Sequence, residues 1–270
     1  MEYCMKKSKT PSAQRKRRGN LPPAGRSSLA PADNGRKTSQ TENAVDLIRS
    51  RIIDLSLKPG TKLDEPLLVK QYKLGRTPAR EAINRLVAEG LASIFPNRGG
   101  TFVRELNVSE IDEVLMAYQL VETVLAQLLK FEDPGLVSDL ERIQARYSRE
   151  VRAKSLLGIT SVNEEFHLRM HRSIGNGFFY EFARSTHRHV RRLLVLIYKM
   201  EMKEKNLLET QLKINLGEHD GIIDAIRRGD RAALNSVLPI HARQAQTRLQ
   251  TILGKKLPAL SLGQLAAAAK

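Results

Sequence analysis

Apolar residues recur at helical spacing over most of this chain, and only one short stretch has a strand-like pattern. Aromatic residues make up 5% of the chain and tryptophan is absent, so Leu, Ile, Val and Ala must supply most of the core. Residues 91–104 are typical of strands, because a glycine-containing turn separates two apolar runs there. The sequence therefore predicts a mainly α protein with one small β-hairpin.

Changes in composition divide the 270 residues into four segments. Residues 1–40 carry ten Lys and Arg against two acids and few bulky apolar side chains, so we expect a disordered basic tail. A compact region follows over 41–106 and a helical region over 107–253, and we expect residues 254–270 to form a flexible C-terminal tail. Half of the net charge of +16 lies in the basic tail, so total charge does not locate a nucleic-acid-binding site.

The composition excludes several classes of protein. Cys4 is the only cysteine, so neither an intrachain disulfide nor a cysteine-ligated zinc finger can form. No apolar run approaches the roughly 18 residues that span a bilayer, and the basic N-terminus lacks the apolar core of a signal peptide. We therefore expect a cytoplasmic protein that makes no membrane contact.

The segment 41–106 contains three short helical patterns followed by the hairpin. The first helix ends at Lys58-Pro59-Gly60, the second runs from the N-cap Asp64 to Tyr72, and the third spans 77–86. The strand-like residues 91–103 come next and enclose a turn. Three helices and a hairpin in this order indicate a winged helix-turn-helix, a DNA-binding module.

The third helix carries the side chains that a helix-turn-helix presents to DNA. Its inward stripe is apolar and its outward face is polar. The outward residues are Arg76, Thr77, Arg80 and Asn84. The planar fork of arginine pairs with guanine O6 and N7 in the major groove. In the hairpin turn, we expect Arg98 and the pair Gly99-Gly100 to reach the minor groove or a phosphate.

Four motifs of this segment resemble the DNA-binding domain of the GntR family. They are LKPGTKL (57–63), LGRTPAREAI (74–83), LVAEGL (86–91) and PNRGGTFV (96–103). The resemblance implies that Arg76, Thr77 and Arg80 contact an operator and that the two-glycine turn reaches the minor groove. Gly75 stands where Ser or Thr is usual, which weakens helix capping. Pro66 stands where some relatives place a DNA-contacting Arg.

The region 107–253 is predicted to form six helices. Their bounds are near 109–131, 134–154, 161–174, 178–205, 208–228 and 230–252, with a capping box at Ser109 and Asp112. The breaks between them are predicted at Asp133-Pro134-Gly135, Gly158, Gly175-Asn176-Gly177 and Gly229-Asp230. We expect the six helices to form an antiparallel bundle.

Three histidines and an asparagine of this region form a candidate metal site. Asn163 and His167 are one turn apart on one helix. A helical hairpin that turns at Gly229-Asp230 brings His219 and His241 together. Three imidazoles and one oxygen suit a divalent transition metal such as zinc, nickel or manganese. A polar pocket without metal is the alternative.

The helical region also resembles the C-terminal domain of the FadR subgroup, called FCD. The matching fragments are Phe166-His167, Gly175-Asn176, Glu218-His219, Ala225-Ile226, Gly229-Asp230 and His241. The resemblance implies a metal held by an Asp and three His, and this metal helps to bind a carboxylate effector. In this chain Asn163 replaces that Asp. Tyr118 replaces an Arg that is common on the first helix of the domain, and it is a candidate effector contact.

Two arginines complete the predicted effector site. Arg188 and Arg192 are one turn apart and would bind an anionic effector if they face the pocket, whereas an exposed basic face is the alternative. His171, His187 and His189 have no counterpart in the resemblance, so we expect them at surface or packing positions.

These features predict a homodimeric transcription repressor that binds a palindromic double-stranded DNA operator and responds to a small organic acid. A metal-dependent hydrolase that uses the histidines is a second hypothesis, although HExxH, nucleophile-elbow and phosphate-loop motifs are absent from the sequence. An architectural DNA-binding protein that relies on the basic tail is a third. The expected location is the bacterial cytoplasm, at the nucleoid.

Overall fold

The computed structural model describes residues 39–256. Cys4, nearly all of the basic tail and most of the C-terminal tail lie outside this range, as do the predictions made for them. The described residues form nine helices: α1 Gln40–Ile53, α2 Glu65–Tyr72, α3 Arg76–Ala88, α4 Val108–Leu128, α5 Leu136–Arg152, α6 Leu156–Ser173, α7 Gly177–Glu201, α8 Leu207–Arg227 and α9 Arg231–Lys256. Three strands accompany them: β1 Lys62–Leu63, β2 Ala92–Phe95 and β3 Gly100–Val103. The predicted fold class, a winged helix-turn-helix followed by an all-α domain, is confirmed.

Helix α1 opens the N-terminal domain and packs against α3. Ser39 and Glu42 form a capping box, because each side chain accepts a hydrogen bond from the backbone N–H of the other residue. Ile48 and Ile52 are buried in a core that α2, α3 and the sheet complete. α1 ends at Ile53, before the predicted stop at Lys58-Pro59-Gly60, and Leu55 beyond it has a φ of 64°.

The wing contains three strands rather than the predicted two. β2 and β3 form the expected antiparallel hairpin, in which Phe95 lies opposite Gly100. β1 pairs with the other edge of β3, where Lys62 lies opposite Phe102, so the strand order is β1-β3-β2. A strand of two residues leaves no detectable alternation in the sequence, which is why the pattern missed it.

The helices α4 to α9 enclose a second apolar core. α4 packs against α7 and α9, while α5 packs against α6 and α8. The predicted break at Gly158 is wrong: Ser155 caps α6, and its hydroxyl accepts a hydrogen bond from the Gly158 N–H inside the first turn. The predicted capping box at Ser109 and Asp112 is also wrong, because Asn107 caps α4.

Within residues 39–256, we find no helix both long and apolar enough to cross a bilayer.

Candidate DNA interface and candidate metal centre

The outward face of α3 is exposed along its length. α3 begins at Arg76, and Gly75 at its N-cap supplies no side-chain hydrogen bond, as predicted. The four predicted DNA-contacting side chains of this helix are all exposed: Arg76, Thr77, Arg80 and Asn84. On the opposite face, Ala79 and Leu86 are fully buried. The domain therefore anchors α3 by its apolar stripe and leaves its polar face open.

An ion pair with the neighbouring helix orients Arg80. Its Nε donates to Oε1 of Glu65, at the start of α2, over 2.7 Å. The hydrogen bond from Arg80 lowers the pKa of Glu65, and the same bond raises the pKa of Arg80. The Arg80 side chain remains 70% exposed, so much of its guanidinium stays accessible to a partner.

The wing tip consists of Arg98, Gly99 and Gly100, and two aromatic rings support it. The Arg98 guanidinium carbon lies 5.6 Å from the ring centre of Phe95 and 5.9 Å from that of Phe102. Gly99 has a φ of 66°, and a Cβ there would meet no atom within 4 Å. The turn thus presents an exposed arginine on open backbone, which a narrow groove can admit. The supporting role of the two phenylalanines was not predicted.

Three of the predicted metal ligands converge in the interior of the helical domain. One ring nitrogen from each of His167, His219 and His241 lies within 4.8 Å of the other two. The Nε2 atoms of His167 and His241 are 3.2 Å apart. All three rings are buried, and so is Asn163, which precedes His167 by one turn of α6.

The opposite nitrogen of each ring faces an oxygen acceptor. The Nδ1 contacts are His167 to Glu122 at 2.8 Å, His219 to Gln144 at 3.1 Å and His241 to Glu218 at 2.7 Å. Since these oxygens accept hydrogen bonds, each Nδ1 carries the proton and each Nε2 presents a lone pair. Metal-binding histidines are commonly oriented in this way by a second polar group.

The nitrogen spacing also fits a divalent ion. Two lone pairs 3.2 Å apart repel each other unless a cation or a proton lies between them. Nitrogen ligands at about 2.0–2.1 Å in a tetrahedral site are roughly 3.3 Å apart. Burial lowers the pKa of His241 and holds that of His219 well below its ordinary value, so both rings are neutral, which is the form that binds metal.

Glu122 of α4 connects three imidazole rings. Besides the Nδ1–H of His167 at Oε2, it accepts the Nε2–H groups of His171 and His187 at Oε1, each over 2.9 Å. Burial alone would raise the pKa of Glu122, but its interactions with the three rings outweigh burial and hold the pKa well below the usual range. The carboxylate is therefore ionised in the domain interior.

Sequence reasoning missed this role of Glu122. The available signal was an acidic residue in the buried stripe that Tyr118, Val121 and Leu125 form on α4. His171 and His187 are fully buried, so they are not surface residues, and the prediction also missed their contact with Glu122.

Tyr118 lies beside the histidines, where the sequence predicted an effector contact. Its ring meets that of His167 edge to face at a centroid distance of 6.0 Å and that of His187 at 5.4 Å. Burial, and then the charge of Glu122, raise the pKa of Tyr118 well above its ordinary value. Its hydroxyl is therefore protonated and able to donate a hydrogen bond.

Arg188 and Arg192 contact the N-terminal domain instead. Arg188 Nη1 lies 3.5 Å from Oε2 of Glu89, and Arg192 Nη2 donates to the backbone carbonyl of Arg104 over 2.7 Å. These contacts direct both guanidinium groups to the domain junction, so the structure does not bring them to the histidines as predicted. The alternative of an exposed basic face does not hold for Arg192, which is buried.

Comparison with known families identifies both domains. The family model described as "Bacterial regulatory proteins, gntR family" matches residues 40–103. The model of the FCD domain matches residues 113–244. The chain belongs to the GntR family of transcription regulators. Its predicted membership of the FadR subgroup is consistent with the FCD domain, and the matching families are those of DNA-binding regulators, not enzymes.

Individual relatives agree with this family. An uncharacterized HTH-type transcriptional regulator in an unstable DNA locus of Streptomyces ambofaciens is 25% identical over 73% of this chain and 79% of its own length. The gluconate operon transcriptional repressor of Bacillus subtilis (strain 168) is 24% identical over 76% of this chain and 83% of its own.

Solved structures share the fold. A putative transcriptional regulator GntR from Rhodococcus sp. RHA1 matches with a TM-score of 0.64 at 22% identity, covering 80% of this chain and 99% of that one. E. coli McbR/YncC matches with a TM-score of 0.61 at 18% identity, covering 81% of this chain and 99% of that one.

Proposed function

We propose that this GntR-family regulator is a homodimeric repressor whose two winged domains bind a palindromic operator in the cytoplasm, at the nucleoid. The observation that carries the proposal is the exposed polar face of α3, formed by Arg76, Thr77, Arg80 and Asn84, in a domain that also exposes a basic wing tip. A two-fold axis places two such helices on half-sites about one turn of DNA apart.

Each exposed group has a distinct role in this proposal. Arg76 and Arg80 offer guanidinium forks to guanine edges, and Thr77 and Asn84 offer shorter polar groups to neighbouring bases or phosphates. The wing tip contacts the minor groove, where its two glycines allow close approach of the backbone and Arg98 supplies positive charge.

Asn163, His167, His219 and His241 would hold a divalent metal in the helical domain, and zinc, nickel or manganese suits these donors. When bound, the metal supplies a Lewis-acidic centre. The amide of Asn163 and the three imidazoles would themselves contribute no negative charge to a bound ion, which would favour an anionic effector. Tyr118 adjoins the site and donates a hydrogen bond to that effector.

A small organic acid is the effector that this site favours. A carboxylate both coordinates the ion and offsets its charge. One relative is named as a repressor of a gluconate operon, and gluconate is an organic acid. The name of this relative supports an organic acid as the class of effector.

Selection of DNA from random sequence tests this function. Full-length protein should enrich duplexes with two inverted half-sites about 10 base pairs apart. A screen of small organic acids against that complex should then find a compound that releases the DNA, and chelation of metal should weaken this response. If no duplex is preferred over random competitor at the same salt concentration, the proposal fails.

The two competing hypotheses lose support. The hydrolase hypothesis is not retained, because the histidines are buried and the matching families are regulators. The architectural hypothesis assigns DNA binding to the basic tail. Deletion of residues 1–37 distinguishes the architectural hypothesis from our proposal. This deletion leaves the Ser39 cap of α1 in place, so the winged domain remains intact. Our proposal expects specific binding to survive, whereas its complete loss would favour the tail.

A further inference from the structure

His167 lies between two sets of donor atoms. In the first set, which is Asn163, His167, His219 and His241, Nε2 of His167 lies 3.2 Å from Nε2 of His241. Nδ1 of His167 faces Glu122 instead. One donor atom from each of Glu122, His167 and His187 also lies within 4.8 Å of the other two, and all three side chains are buried. This second set combines two imidazoles with a carboxylate and comes from the helices α4, α6 and α7.

The distances within the second set suit a metal ion. Glu122 Oε2 is 2.8 Å from His167 Nδ1, and Glu122 Oε1 is 2.9 Å from His187 Nε2. Ligand atoms at about 2.0–2.2 Å from an ion lie roughly 2.8–3.6 Å apart between the right angle and the tetrahedral angle. Both measured separations fall within this range.

The charge of the second set also favours a cation. The Glu122 carboxylate is fully buried, and the hydrogen-bond partners that the structure records for it are imidazoles. Buried carboxylates are generally paired with a cation or coordinate a metal. A divalent ion would compensate Glu122 directly.

We propose that Glu122, His167 and His187 form a second ligand set for a divalent metal ion, and that neutral His167 serves only one of the two sets at a time. His171 lies outside the set and positions the Glu122 carboxylate by its hydrogen bond to Oε1. The proposal goes beyond the regulator function and does not depend on DNA binding.

The tautomers of His167 explain why this residue serves only one set of ligands at a time. A neutral imidazole has one proton and one lone pair. When Nε2 binds the ion of the first set, the proton stays on Nδ1 and is donated to Glu122. When Nδ1 binds the ion of the second set, the proton of His167 resides on Nε2 and is donated to Nε2 of His241 over 3.2 Å. In this state the proton of His187 moves from Nε2 to Nδ1, which leaves the Nε2 lone pair for the ion. Each state satisfies both nitrogens of His167.

Metal content of full-length variants tests the second set. The substitutions His219→Gln and His241→Gln together remove two ligands of the first set. We expect this double variant and the wild type each to retain about one equivalent of cobalt(II) or zinc after desalting. Adding His187→Gln should then lower metal affinity by at least about tenfold, because the second set loses a ligand.

A matched control lies two residues away on the same helix. His189 is absent from both sets, so adding His189→Gln to the double variant should leave metal content unchanged. Circular dichroism and thermal melting verify folding, and His241→Gln alone replaces the double variant if the latter does not fold. The cobalt absorption spectrum should differ between His241→Gln and His187→Gln, because their ligands differ.

Two results would overturn the proposal. If a folded protein without the first set binds no metal, Glu122 is only a hydrogen-bond acceptor. If the wild type binds two equivalents, His167 does not choose between the sets. The operator selection described above is unaffected by either result, so failure of this proposal is distinguishable from failure of the regulator function.

Discussion

The two domains place their charged groups in opposite environments. In the DNA-binding domain, Arg80 is 70% exposed and makes one ion pair, with Glu65. In the helical domain, Glu122 and His167 are 0% exposed and hydrogen-bonded to each other. Exposed charge is available to a partner and contributes little to stability, whereas buried charge must be compensated within the fold. We therefore expect substitutions in the two domains to change different properties.

Helix α7 connects these environments. His187 contacts Glu122 at the histidines, and five residues later Arg192 contacts the carbonyl of Arg104, which links the two domains. Lys199, further along α7, donates to the carbonyl of Asp54 over 2.6 Å. We therefore expect a change at the histidines to reach the DNA-binding domain through this helix.

The largest expected effect is the loss of a buried ion pair in the helical domain. Arg248 donates two hydrogen bonds to Glu201, and both side chains are at most 5% exposed. Glu201→Gln leaves a buried guanidinium without its anion, and we expect the free energy of unfolding to fall by about 3–5 kcal/mol. Chemical denaturation measures this change.

An exposed ion pair on the same helix is the control. Glu181 pairs with Arg184 three residues later, and both side chains are about half exposed. Glu181→Gln should change the free energy of unfolding by less than about 0.5 kcal/mol. Equal effects of the two substitutions would break the distinction between buried and exposed charge.

The buried histidines should make stability depend on pH. Burial lowers the pKa of His187 to about 4, so the unfolded chain binds a proton more readily than the folded one between about pH 6.5 and 4. The contribution of neutral His187 to the free energy of unfolding is therefore complete above pH 6.5 and is lost as the pH falls from about 6.5 to 4. The loss from His187 is on the order of 3 kcal/mol.

Denaturation of metal-free protein at pH 7, 6 and 5 measures this dependence. The exposed arginines of α3 do not titrate in this range, so they contribute nothing to it. A free energy of unfolding that stays constant between pH 7 and pH 5 would show that the histidines are not buried as neutral rings.

A smaller effect on stability is expected at the domain junction. Burial lowers the pKa of Arg192 to about 10, so the fold tolerates this guanidinium at a cost. Arg192→Met relieves that cost but leaves the Arg104 carbonyl without this donor, and we expect the free energy of unfolding to change by less than about 1.5 kcal/mol. Release of DNA by the effector should weaken while metal content remains unchanged.

The exposed Arg172 supplies the control for this substitution. Arg172→Met should leave the effector response intact, because this side chain does not lie at the junction. An unchanged response in Arg192→Met would exclude the route through α7.

The smallest effect concerns the start of α3. Gly75 provides no side-chain cap, and its φ is −66°, so Ser is compatible with the backbone there. Gly75→Ser should raise the free energy of unfolding by a few tenths of a kcal/mol, since a hydroxyl can accept a helix N–H. The nearest atom to a Cβ at this position is Pro78 Cγ at 3.3 Å, so a larger gain is not expected. Thermal melting of the variant and the wild type measures it.

The contrast between the domains also explains what the sequence could predict. The groups of α3 and the wing are close in sequence, and local helix and turn chemistry was sufficient to place Arg80 on an open face. The ring of His167 acquires its neighbours from α4, α8 and α9, so its partner Glu122 could not be found from spacing. The partner that Arg192 contacts depends on the orientation of α7 about its own axis. Helical periodicity alone does not fix this orientation.

The most direct test of this contrast compares Arg80→Ala with His241→Gln on the selected operator, at one salt concentration, with metal content measured in the same samples. We predict that Arg80→Ala weakens specific DNA binding by about 10- to 100-fold and retains metal. We predict that effector-free His241→Gln keeps operator affinity within about threefold, retains about one equivalent of metal in the second set and has a changed cobalt absorption spectrum. Wild-type operator affinity in Arg80→Ala would contradict the assignment of α3 as the recognition helix.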